Sequence, residues 1–105
     1  MNLIYTAGKY RAKTEYEVWV NIQTADYYGA ELIKKGFFPV IPHKNTAFFG
    51  GLKDDKFFLD GTLEMLRRCD SIFMLPDWES SEGARNEHAE AQKLGLKIYY
   101  DLEEL

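Results

Sequence analysis

The sequence predicts an α/β fold: a single Rossmann-like or flavodoxin-like domain, with a parallel sheet of about four strands flanked by helices. Three observations carry this. Short apolar runs alternate with amphipathic helical stripes along the whole chain. Glycine or proline punctuates most of the boundaries. The chain has 105 residues. Two domains would each have about 50 residues, near the lower limit for an unstapled core, so residues 1–105 are read as one domain.

The elements follow in order. Asn2–Ala7 is a short apolar run ended by Gly8, the first strand. From Thr14 to about Lys35, Val18, Ile22, Ala25, Gly29 and Leu32 recur at three- and four-residue steps, the stripe of an amphipathic helix. Gly36 stands where such a helix closes. Phe37–Ile41 reads as the second strand, ended by Pro42, and His43–Asp55 as a long loop of the kind that is often functional. Lys56–Arg68 reads as a helix, with Phe58, Leu59, Leu63 and Leu66 on or near one face. Asp70–Pro76 is the third strand. Ser80 or Ser81 caps a helix over about Glu82–Leu94, which Gly95 ends. Leu96–Tyr100 is the fourth strand, followed by an acidic tail.

Composition narrows the partners. Thirteen basic against 17 acidic residues give a net charge of −4, which provides no basic face for a nucleic-acid polymer. No apolar run approaches the roughly 18–20 residues of a membrane span. The start, MNLIYTAGKYR, has no basic region ahead of its apolar stretch, unlike a signal peptide. The single cysteine, Cys69, excludes a disulfide framework and a thiolate metal cluster, and is expected to be buried and inert. A cytoplasmic location is expected. Aromatic residues make up 15% of the chain, so a core built on rings is expected.

In parallel sheets, ligands bind beyond the carboxyl ends of the strands. The segments to search are therefore Gly8–Arg11, His43–Thr46, Asp77–Gly83 and the tail. On a helical wheel of about 100° per residue, Ala84, Ala91 and Leu94 form the apolar stripe of the last helix, and Glu87 falls within it. Two readings are open. Glu87 stands at the rim of a partly exposed stripe, or it is a buried carboxylate, which needs a partner and is a candidate nucleophile or general base. Ser81 and Gly83 sit at that helix's start, where anions are attracted and a ligand can approach the backbone. Gly8 and Arg11 frame a basic turn suited to phosphate, although neither a Walker nor a dinucleotide glycine motif is present. Tyr5 faces either side of its strand. His43 is structural or catalytic. His88, turned about 100° from Glu87 on the wheel, is expected at the surface. Trp78 is a stacking platform for a base or a lid on the core.

Taken together, these residues resemble the nucleoside 2-deoxyribosyltransferase-like superfamily, and especially its small members akin to 2′-deoxynucleoside 5′-monophosphate N-glycosidases. IYTAGKYR at 4–11 and CDSIFMLPDWESSEGARNEHAEAQKLG at 69–95 carry the resemblance, with PVIPHKNT at 39–46 a looser match. The resemblance implies that Glu87 attacks C1′ of the sugar and that Tyr5 hydrogen-bonds and orients it. It implies that Ser81 and Gly83 hold sugar or phosphate, and that Gly8 and Arg11 contact the 5′-phosphate. Serine at 81, where the nucleoside transferases carry aspartate, is the pattern of the monophosphate hydrolases. One position departs: the family's base-contacting aspartate, eight residues before Asp70, is Thr62 here, flanked by Asp60 and Glu64. Either Asp60 serves, or the base contact differs, or activity is weak. The resemblance also implies contacts from longer C-terminal tails, which are expected to be missing here or remade by Asp101–Leu105.

The resemblance implies N-glycosidic cleavage through a glycosyl–glutamate ester, with no metal or organic cofactor, in a homodimer or larger homo-oligomer. The alternatives are deoxyribosyl transfer between bases and a non-catalytic nucleotide-sensing module. A receiver-type interaction domain is disfavoured because the turn after the first strand is basic rather than acidic.

Overall fold

The computed structural model describes residues 1–105. Four strands form one parallel sheet in the order β2-β1-β3-β4: β1 Leu3–Ala7, β2 Phe38–Val40, β3 Ser71–Met74 and β4 Lys97–Tyr99. Three long helices connect them: α1 Glu15–Lys34, α3 Asp55–Arg67 and α4 Glu82–Leu94. The expected α/β architecture is present, with the strands trimmed by one or two residues at their ends.

One expectation is corrected. His43–Asp55 is not loop throughout, because Pro42–Asn45 forms a short helix, α2. Pro42 occupies its first turn, where a fixed φ suits helix entry and the missing N–H costs nothing. Asp54 then caps α3 by accepting from the Phe57 N–H at 3.0 Å. Ser81, not Ser80, caps α4 by accepting from the Ala84 N–H at 3.2 Å. Gly36 and Gly95 hold positive φ where α1 and α4 end, as a helix C-terminus requires.

The sheet divides two cores by the alternation of its side chains. Ile4, Phe73 and Leu75 pack with Ala25 and Leu32 of α1. Tyr5, Ala7, Ile72 and Met74 pack on the other face with Leu66 of α3 and Ala91 of α4. Tyr5 therefore points toward α3 and α4, which resolves its direction. Asp70 ties the strands together at their start by accepting from the Leu3 N–H at 2.8 Å. Cys69 is buried, and burial pushes its thiol up to about 11.

The chain runs from β1 outward to β2, then returns across β1 to β3. That reversal puts a topological switch point between the carboxyl ends of β1 and β3. Gly8 and Leu75 meet there. A Cβ on Gly8 would lie 2.7 Å from Leu75 Cβ, closer than packing allows. Gly8→Ala is expected to lower unfolding free energy by about 1–3 kcal/mol through overpacking. Gly83→Ala, with only Ser81 Oγ at 3.9 Å in its way, is expected to leave stability unchanged or improve it by up to about 1 kcal/mol. Urea denaturation of both variants checks the contrast.

Candidate active site

A cleft of about 760 Å³ opens at the switch point. The turn after β1, the helix α2, one side of α3 and the first two turns of α4 line it. Six of the residues singled out in the sequence meet there: Gly8, Arg11, His43, Ser81, Gly83 and Glu87. Tyr5 lies beneath them, fully buried.

Glu87 is 7% exposed and belongs to the buried face of α4 with Ala84 and Ala91. The small alanines one turn to either side let that face sit close to the sheet. The Tyr5 hydroxyl donates to Glu87 Oε2, joining the middle of β1 to the second turn of α4. Burial raises the Glu87 carboxyl to about 7, while the hydrogen bond from Tyr5, with the Thr62 hydroxyl nearby, holds it from rising further. Burial, then the neighbouring Glu87 charge, drives Tyr5 well above the ordinary phenol value. The phenol thus keeps its proton and remains the donor. A desolvated carboxylate facing an open cleft is suited to attack an electrophilic carbon or to accept a proton.

His43 is also buried, and its Nε2 lies 3.2 Å from the Gly8 carbonyl oxygen. A carbonyl only accepts, so Nε2 carries the proton and Nδ1 is the bare nitrogen. Nδ1 has no partner, and burial holds the imidazole below its ordinary value. His43 thereby fixes the carbonyl of the β1 turn against α2.

Three basic side chains line the cleft, each in an ion pair. Lys9 meets Asp77 at 2.9 Å, Arg11 meets Asp55 at 2.8 Å, and Lys56 meets Asp60 at 2.7 Å. The Arg11 pair links the β1 turn to the start of α3. Its guanidinium holds the Asp55 carboxyl below the usual carboxylate range.

Asp60 and Trp78 stand outside the cleft lining. The Asp60 side chain turns to solvent and pairs with Lys56 one turn earlier. Thr62, not Asp60, faces the cleft, and its hydroxyl donates to the Leu59 carbonyl at 3.0 Å. Trp78 is half-buried against the Tyr5 side of the core, its ring 4.4 Å from that of His88. His88 is accordingly half-buried rather than on the open surface, and its Nε2 lies 2.8 Å from the Tyr100 hydroxyl.

Sequence reasoning missed Asp55 and Tyr10. Tyr10 lines the cleft, and its hydroxyl accepts from the Phe48 N–H at 2.7 Å, holding a backbone at φ 61. The paired acids Asp54-Asp55 ahead of an apolar helix stripe were the available signal for Asp55; for Tyr10 it was the place within the Gly8–Arg11 turn. No three His, Cys, Asp or Glu side chains converge as a metal-binding group. No helix is long and apolar enough to cross a membrane.

Residues 3–100 match the family model described as "Domain of unknown function (DUF4406)". The chain belongs to this family. No curated protein matches it. Two solved structures share the fold of this DUF4406 chain. One is a 2-deoxyribosyltransferase from the psychrotolerant bacterium Bacillus psychrosaccharolyticus, with a TM-score of 0.66 and 21% identity over 91% of this chain and 69% of that one. The other is a 2-deoxyribosyltransferase from Leishmania mexicana, with a TM-score of 0.62 and 22% identity over 93% of this chain. The DUF4406 chain spans 62% of the Leishmania protein, less than two thirds of its length. At these identities the likeness establishes the 2-deoxyribosyltransferase fold.

The Glu87 environment makes stability depend on pH. The carboxyl titrates near 4.5 when unfolded and near 7 when folded, so the folded chain holds a proton that the unfolded chain releases. A raised carboxyl makes folding less favourable as pH rises through that window. Between pH 4.5 and 8 the native chain is expected to lose on the order of 3 kcal/mol relative to Glu87→Gln. Urea denaturation of both chains across that range checks it.

Proposed function

We propose that this chain cleaves the N-glycosidic bond of a (2′-deoxy)nucleoside 5′-monophosphate, with Glu87 as nucleophile. The observation that carries this reading is the buried carboxylate held by a phenol at the floor of an open cleft. The fold shared with two deoxyribosyltransferases supports it, since that chemistry also breaks and makes the bond at C1′.

Glu87 attacks C1′ as the bond to the base breaks, through an oxocarbenium-like transition state. The electron pair of the broken bond leaves with the base. Tyr5 keeps the carboxylate oriented and, in donating to it, favours the ionised form that attacks. Water then opens the glycosyl ester, releasing sugar phosphate, restoring the carboxylate and passing a proton to solvent. None of these steps calls for a metal or organic cofactor. Ser81, Gly83 and the exposed N–H groups of the first turn of α4 offer donors to the sugar or phosphate. Arg11, beside the Gly8 turn, exchanges Asp55 for the phosphate, where a guanidinium binds in bidentate fashion.

A second base arriving in place of water would make the same ester a transfer intermediate. The two structural neighbours, both 2-deoxyribosyltransferases, favour that outcome. Assembly with further copies belongs to the same reading. Phe48, Phe49, Leu52 and Phe57 are exposed on the segment from α2 to α3, part of which borders the cleft, and are available to a partner.

Chromatography of free base is the test, using ribo- and deoxynucleoside monophosphates, their unphosphorylated nucleosides, and an acceptor base. Glu87→Gln is expected to lose on the order of 10³-fold or more of activity. Arg11→Ala is expected to raise KM for monophosphates but not for nucleosides. The kcat/KM of the native chain is expected to rise with pH through about 7, as Glu87 ionises. Tyr5→Phe removes a hydrogen bond that lowers the carboxyl, so its profile is expected to move to higher pH. Nucleotide binding without base release from any substrate would support a sensing module instead.

A further inference from the structure

Breaking an ordinary N-glycosidic bond leaves a negative charge on the departing base unless a proton reaches its ring. A positioned acid supplies that proton and contributes about 10²–10⁴-fold. The cleft is poor in such acids. Thr62 occupies the side of α3 beside Glu87, and its hydroxyl is already given to the Leu59 carbonyl. Asp55 lines the cleft, but its side chain is exposed to solvent, which favours the ionised form whether or not Arg11 holds it. Asp60 is turned outward to Lys56. Glu82 stands exposed in the first turn of α4. His43 spends its proton on the Gly8 carbonyl and offers only a bare nitrogen otherwise. Lys9, Arg11 and Lys56 are paired with carboxylates at the mouth, where the reading above gives Arg11 to the phosphate. Tyr10 keeps its own proton while accepting from the Phe48 N–H, but it packs with His43 and Phe48 on the phosphate side of the cleft. What α3 offers beside Thr62 is apolar: Phe58 and Leu59, both half-buried.

We infer that the preferred substrate of this site is a nucleotide whose base carries a formal positive charge, such as a pyridinium or an N7-alkylated purine. This rests on the glycosidase reading above. With such a base, Glu87 forms the bond to C1′, and the pair of the breaking C1′–N bond neutralises the cation. The base leaves uncharged and needs no proton from the protein. Water then hydrolyses the ester, and its second proton goes to solvent. An aromatic wall suits a flat cation, which is attracted to the ring face. The ionised Glu87 on the cleft floor stabilises the same charge before attack.

The experiment compares matched substrates on the native chain. Base release is measured from guanosine and 2′-deoxyguanosine 5′-monophosphates and from their N7-methyl derivatives, with Glu87→Ala as the control for spontaneous loss. The expected result is a kcat/KM for the methylated member higher by about 10²–10⁴-fold, in excess of the difference in the control. Comparable rates for methylated and unmodified members would overturn this inference and leave the glycosidase reading standing. No Glu87-dependent release from any of the four would overturn the glycosidase reading, and this inference with it.

Discussion

The structure turns on one hydrogen bond, from the Tyr5 hydroxyl to the Glu87 carboxylate. A carboxylate taken out of water is costly unless it is paired or hydrogen-bonded. Tyr5 supplies the bond from the central strand β1, and the polar Thr62 stands beside the carboxyl on α3. Three elements thus converge on one carboxyl group. The fold tolerates the cost because α4 presents alanines on either side of Glu87 and lies close to the sheet. The same burial that opposes ionisation puts the carboxyl near 7, where it can be exchanged between its two states.

The remainder of the site is arranged by the switch point. The reversal of strand order leaves the ends of β1 and β3 uncovered, and the turns that follow them form the walls. Gly8 is required there by its contact with Leu75, so its first duty is packing. Its carbonyl then holds His43, and Arg11 reaches across to Asp55. These exposed ion pairs are individually weak. They orient basic side chains at the mouth and leave them free to exchange a protein carboxylate for a ligand anion.

Much of this was legible in the sequence, unevenly and for physical reasons. The last helix was the clearest element, because a serine cap, an alanine stripe and a closing glycine agree, and the stripe itself marked Glu87. The direction of Tyr5 was not legible. LIYTA is buried on both faces of a central parallel strand, so it shows no alternation to read. The helix α2 escaped because four residues carry no periodicity, although Pro42 was its signal. Trp78 remained open between ligand platform and core cover, a choice that depends on His88 and Tyr100 arriving from other elements. Asp60 and Thr62 could be separated only by the facing of α3, which turns the threonine inward.

The most direct test of Glu87 as a nucleophile is to trap its ester. A 2′-fluoro-arabinonucleotide slows both steps by destabilising the oxocarbenium-like transition state, and a reactive base restores the first. Intact-mass spectrometry after incubation, followed by peptide mapping, reads the product. The expected product is an added mass equal to one fluorinated sugar phosphate, located on Glu87 within α4 and absent from Glu87→Gln. Base release without any adduct, or an adduct on another residue, would contradict it.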